Sequence, residues 1–269
     1  MLEKIGFIGC GNMATAIVNG IVNKGYIIPG NVMVYDIDVN KTNELKTKLN
    51  VSVINDIPTL VKESDVIFLC VKPQVIAEPL NEIKKLDISA KVLVSIAAGV
   101  KINTINSFFK VEQKIIRVMP NLCLMYSEGA SALTPFNVSD DEFNFVFNIF
   151  NSLGKAIKVE EELLDTVTAL SGSGPAFVFK FVSELANAAS LLGLNNQDAF
   201  TLAVQTLKGS AKVLEQSGKT ADELIAMVSS KGGTTVAGLN KMEEENFSQA
   251  VKSAVNAAHN RSKELSNLK

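Results

Sequence analysis

Between Ile8 and Ala14 the chain reads Ile-Gly-Cys-Gly-Asn-Met-Ala, a G-x-G-x-x-A turn that follows a short apolar run and opens a helical pattern. Gly9 permits a tight turn, Gly11 lets a pyrophosphate approach the backbone, and Ala14 lets the helix pack closely on the strand. The unpaired amides at a helix start, aligned with its dipole, favour a phosphate there. This is the chemistry of dinucleotide binding. Asp36 follows the next strand pattern, where a carboxylate can accept hydrogen bonds from ribose hydroxyls. Asp38 comes next, and the first nearby cation is Lys41, so a 2′-phosphate would meet carboxylates. The expected cofactor is therefore NADH or NADPH, with NADH favoured.

A second group of donors lies far along the chain. In Ser229-Ser230-Lys231-Gly232-Gly233-Thr234-Thr235 two glycines precede a helical pattern, flanked by the hydroxyls of Ser230, Thr234 and Thr235. Amides of a helix N-terminus with no side chain in the way make a seat for a small carboxylate, without an arginine. The same pattern also reads as an ordinary N-capped helix start. Lys72, in Val71-Lys72-Pro73-Gln74 at the carboxyl end of an apolar strand pattern, lies on the ligand side of a parallel sheet. It reads as a contact to the cofactor or as a solvated lysine. Cys10 serves the turn through its amide.

Other chemistry is excluded. One histidine, His259, leaves no multi-histidine metal centre within a chain, and none is expected. Three cysteines, Cys10, Cys70 and Cys123, at unrelated spacings read as reduced thiols of a cytoplasmic protein. Lys plus Arg (26) nearly balances Asp plus Glu (28), without a basic stripe, so neither a nucleic acid nor a membrane surface is an expected partner. No apolar run approaches the roughly 20 residues of a membrane span, and the first residues lack a signal-peptide layout.

These groups must be carried by ordered elements. With 47% apolar residues the chain can bury large cores. Strand patterns at 4–8, 32–35, 66–71, 92–96 and 115–118 alternate with helical ones, which predicts a parallel α/β sheet. A capping box at Ser139–Glu142 starts a helix that Gly154 closes. After the short run 156–159 only helical patterns remain. The fold class is thus α/β: a Rossmann dinucleotide-binding domain over residues 1–155, then an all-helical domain over 156–269. The helix pattern at 175–192 is apolar on nearly all sides, with only Lys180 and Glu184 charged, which predicts burial against a partner subunit.

Several segments, in order, resemble pyrroline-5-carboxylate reductases: Ile5–Ala14, Val71–Gln74, Ser95–Val100, Arg117–Asn121, Ser171–Phe177 and Ser229–Thr235, with Gly238-Leu239 and Met242-Glu243 beyond. The resemblance covers the chain from Ile5 to about Glu243. It departs at Lys231, where the family usually has proline, and at Leu122-Cys123, where threonine-proline is common. It implies reduction of 1-pyrroline-5-carboxylate, a cyclic imino acid, to L-proline, the last step of proline biosynthesis. It also implies a homodimer interlocked through the helical domain, larger assemblies of dimers being common in the family. The cofactor cleft would be lined by Ile8, Gly9, Cys10, Gly11, Asn12, Met13, Asn55, Val71, Lys72, Pro73, Ile96, Ala97 and Ala98. Ser230, Gly233, Thr234 and Thr235 would hold the substrate carboxylate, with Thr235 near the ring nitrogen as the catalytic residue. Two other functions fit the same layout: a β-hydroxyacid dehydrogenase, and a dinucleotide sensor without turnover.

Overall fold

The computed structural model describes residues 2–267. The described residues divide into two compact units, 2–173 with 258–267, and 174–257.

The first unit is built on one sheet. Its strands are β1 (Ile5–Ile8), β2 (Val32–Tyr35), β3 (Ser52–Val53), β4 (Val66–Leu69), β5 (Val92–Ser95), β6 (Lys114–Met119), β7 (Gly129–Phe136) and β8 (Gly154–Lys158), in the order β3-β2-β1-β4-β5-β6-β7-β8. Strands β3 to β6 in this order are mutually parallel, as the alternating patterns predict. The rest departs from an all-parallel sheet. β7 runs antiparallel to β6, and β8 then runs parallel to β7. β7 is invisible as a sequence pattern because Gly-Ala-Ser-Ala-Leu-Thr-Pro-Phe has neither alternation nor a β-branched run. β8 contains the boundary expected at residues 155 and 156. Its ladder with β7 holds it in the sheet, so the compact unit runs on to Ser173.

The central strands β1, β4 and β5 are buried at every position because both faces are covered. Successive side chains alternate between two cores. Phe7, Val34, Phe68 and Val94 enter one, with α1 (Asn12–Asn23) and α6 (Asp140–Ser152). Ile8, Met33, Ile67, Leu69 and Leu93 enter the other, with α3 (Ile57–Glu63), α4 (Ala77–Ile83) and α5 (Ile102–Asn106). A further helix, α2 (Val39–Leu49), follows β2 and is capped by Asp38, whose side chain accepts the Asn40 amide. The Ser139–Glu142 capping box forms as expected: each side chain takes the other's backbone N–H. Buried Arg117 donates to Glu161 at 2.9 Å, and the same carboxylate oxygen accepts the Ile102 amide at 2.7 Å. That oxygen ties the sheet to the segment that follows it. The helical run expected at 163–170 is mixed: a 3₁₀ turn, then α7 (Leu164–Val167), then a π turn over Thr168–Gly172.

The second unit is helical, with α8 (Gly174–Leu191), α9 (Asn196–Gln216), α10 (Ala221–Val228), α11 (Thr234–Glu244) and the first half of α12 (Phe247–Asn267). α8 and α9 meet through Val182, Ala186, Ala199 and Ala203. Most of its other apolar side chains lie at the surface, among them Phe179, Leu202, Met227 and Val228, each more than half exposed. So many exposed large apolar side chains in one small helical unit fit a protein–protein interface. No helix among the described residues is long and apolar enough to cross a membrane.

Candidate active site

In the sheet order the chain reverses direction between β1 and β4, one leading to β2 and β3 and the other to β5. The crevice above such a reversal, at the carboxyl ends of the strands, is where open α/β sheets bind ligands. A cleft of about 730 Å³ lies there. Three loops build it. The glycine turn follows β1, Cys70–Pro73 follows β4, and Ile96–Ala98 follows β5. The strand ladder runs on into these loops: the Gly9 amide donates to the Tyr35 carbonyl at 2.8 Å, and the Cys70 amide to Ile8 at 2.8 Å.

The two glycines of the turn meet different surroundings. Gly9 has φ +95°, and a Cβ there would stand 2.8 Å from the Cys70 carbonyl oxygen, so no L side chain fits. Gly11 has an ordinary φ of −72° as the N-cap of α1, with no side-chain cap, and a Cβ there would enter empty space. The first amides of α1 have no intrahelical acceptor by helix geometry. An anion-sized cradle therefore opens at Gly11, which a side chain would fill. The dinucleotide expected from the sequence fits it.

Of the residues expected around the cofactor, Cys10, Gly11, Asn12, Met13, Val71, Lys72, Pro73, Ile96, Ala97 and Ala98 line this cleft. Ile8 and Gly9 are buried behind it as supports. Asn55 is exposed after β3 and is not part of the lining. Asp36 is set back: its side chain is 9% exposed, and its two oxygens accept the Cys10 amide at 2.6 Å and the Asp38 amide at 2.8 Å. The cleft also takes in Thr15, Cys70 and one face of α2, with Lys41, Glu44, Leu45 and Lys48. Their i, i+3, i+4, i+7 spacing was available in the sequence, but which helix face meets the glycine turn was not. Burial, then the Asp36 carboxylate, pushes the Cys10 thiol up to about 12, Lys41 acting against this. Burial, then Cys10, raises Cys70 as well. Both thiols are held protonated.

In the second unit the Ser230–Thr235 segment forms a tight turn into α11. Gly232 has φ +73°, the Gly233 amide donates to the Ser230 carbonyl at 2.9 Å, and Gly233 is the N-cap, with no side chain capping the helix. The alternative of a side-chain-capped helix start is thus not what forms, and the first amides of α11 have no intrahelical acceptor. Ser230 and Thr234 are exposed and Thr235 is half-buried. Beside them the Ser229 hydroxyl is buried without a partner among the described residues. His259 lies on α12, its Nδ1 3.5 Å from the Thr166 hydroxyl. No group of three or more His, Cys, Asp or Glu among the described residues could hold a metal.

Two family models match the chain. One described as pyrroline-5-carboxylate reductase dimerisation matches residues 161–265, and one described as NADP oxidoreductase, coenzyme F420-dependent, matches residues 4–99. A pyrroline-5-carboxylate reductase of Methanosarcina acetivorans is 39% identical over 264 residues, 98% of each chain. The structure of a pyrroline-5-carboxylate reductase from Coxiella burnetii superposes with a TM-score of 0.94 at 33% identity, covering 100% of both chains. The structure of Plasmodium falciparum pyrroline carboxylate reductase with NADP bound superposes with a TM-score of 0.88 at 32% identity, covering 98% of each.

Proposed function

The chain belongs to the pyrroline-5-carboxylate reductase family, and from that premise we infer that it reduces 1-pyrroline-5-carboxylate to L-proline with NADH or NADPH, closing proline biosynthesis. The observation that carries this reading is the presence, in one chain, of an open dinucleotide cradle at Gly11 and an uncapped turn of amides at Gly232–Thr234.

A bound reduced nicotinamide supplies the hydride that converts the C=N carbon to C–H, while the nitrogen takes a proton. The residues of the chain do the rest. The first amides of α1 hold the pyrophosphate, with Ile8 and Gly9 shaping the turn beneath it. Val71–Pro73 and Ile96–Ala98 would wall the nicotinamide, with Asn55 acting from outside the lining. Ser230, Gly233 and Thr234 grip the substrate carboxylate. Thr235 hydrogen-bonds the ring nitrogen and orients it for protonation. A cyclic imine is more basic than a ketone, so positioning and a dry cleft carry more of the barrier than a strong acid. The first unit serves the cofactor, and the second serves substrate binding and dimerisation. The chain works as a homodimer, in keeping with the dimerisation match and the exposed apolar faces of the second unit. Its place is the cytoplasm, supported by three free thiols.

The test is spectrophotometric: NADH and NADPH oxidation with the five-membered imine acid, against oxidation of 3-hydroxyacids. Cofactor binding without turnover of the imine would instead favour a sensor.

A further inference from the structure

The sequence places carboxylates where a 2′-phosphate would lie, and the structure sets backbone amides and one ammonium against them. Both Asp36 oxygens are taken by amides, those of Cys10 and Asp38. Asp38 in turn accepts the Asn40 amide as the cap of α2, where the helix dipole offsets its charge. Lys41 stands between them, its Nζ 4.0 Å from Asp36 Oδ1 and 4.0 Å from Asp38 Oδ2. Both are ion pairs without a hydrogen bond, so Lys41 offsets the two carboxylates while its N–H donors stay available to a further acceptor. The other cation on this face of α2 is engaged: Lys48 donates to Glu44 at 2.6 Å. Lys72 lies on the opposite wall, after β4, with β1 between.

We propose that Lys41 is the specificity-determining residue of the cleft: its ammonium receives the 2′-phosphate of NADPH, so the ribose end accepts both dinucleotides despite Asp36 and Asp38. This rests on the reading of the cleft as the cofactor site and deepens it. Lys41 follows β2, on the other side of β1 from the loops after β4 and β5, so its role concerns which cofactor is held and not how hydride moves.

The test measures binding without turnover. Fluorescence titrations of the full chain with NADH and with NADPH, no imine present, are compared for the unsubstituted protein, Lys41→Ala and Lys41→Arg. Lys41→Ala should weaken NADPH about tenfold and NADH less than about twofold, as loss of one charge-assisted contact predicts. Lys41→Arg should restore NADPH, and 0.5 M salt should weaken NADPH more than NADH. Retained NADH binding certifies the fold of each variant. Equal changes for both cofactors, no change for either, or an unsubstituted chain that binds NADH but not NADPH overturns the inference while the cofactor site stands. An unsubstituted chain that binds neither overturns both.

Discussion

The Asp36 carboxylate accepts the Cys10 amide at 2.6 Å, fastening the tip of β2 to the glycine turn after β1. The sequence assigns this carboxylate to the ribose. In the folded chain its two oxygens already hold backbone donors, so the same group shapes the cradle from behind. Asp36→Ala should therefore loosen the turn itself, weakening NADH and NADPH alike by about tenfold or more, in line with charged hydrogen bonds of roughly 1.5–3 kcal/mol. Asp36→Asn keeps one acceptor and should fall between. Loss of only one cofactor's binding would contradict this role.

Gly9 and Gly11 divide fold from ligand. Gly9→Ala places a Cβ against the Cys70 carbonyl at a positive φ and should cost about 2–4 kcal/mol, seen as a lowered Tm. Gly11→Ala adds a Cβ with no protein atom within 4 Å and should leave Tm nearly unchanged, yet weaken NADH about tenfold or more by intruding on the cradle. Calorimetry and cofactor titration on the two variants check the division.

Thr235→Ala should lower kcat/KM for the imine by about a hundredfold while the Kd for NADH stays within a factor of two. Thr235→Ser, which keeps the hydroxyl, should recover most of the rate. An unchanged rate in the alanine variant would remove Thr235 from the chemistry.

The two raised thiols give a pH signature. Below pH 9 the Cys10 thiol is protonated in both folded and unfolded chains, and its share of stability is fully present. As pH climbs from 9 towards about 12 the unfolded chain ionises first, so that share is lost, at up to roughly 1.4 kcal/mol per pH unit. Cys10→Ala should flatten the alkaline fall of Tm. Native protein at pH 8 should also resist thiol reagents at Cys10 and Cys70, as peptide mapping would reveal.

Arg117→Ala leaves Glu161 without its buried cation and should destabilise the first unit by about 3 kcal/mol. Urea unfolding reads the loss. Arg117→Lys should restore only part of it, because one ammonium does not reproduce the planar fork.

What the sequence determined was local. A strand, glycines at fixed offsets and a helix start define the dinucleotide turn, because backbone sterics act over a few residues. Caps such as Ser139–Glu142 and the central strands, apolar on both faces, are written in the same short-range code. The Ser230–Thr235 turn into a helix is equally local, but the pattern also allowed a side-chain cap, and only the folded turn shows Gly233 as an N-cap without one. Tertiary structure decided everything that depends on a second segment. β7 is a strand only because β6 and β8 supply its hydrogen bonds. Asn55 stands outside the cleft because loop direction after β3 is set by packing. Asp36 faces the Cys10 amide, and Lys41 comes beside it without bonding, because β1, β2 and α2 converge there. Charge read along the chain counts carboxylates against a phosphate; only the folded arrangement shows which donors each oxygen has already taken.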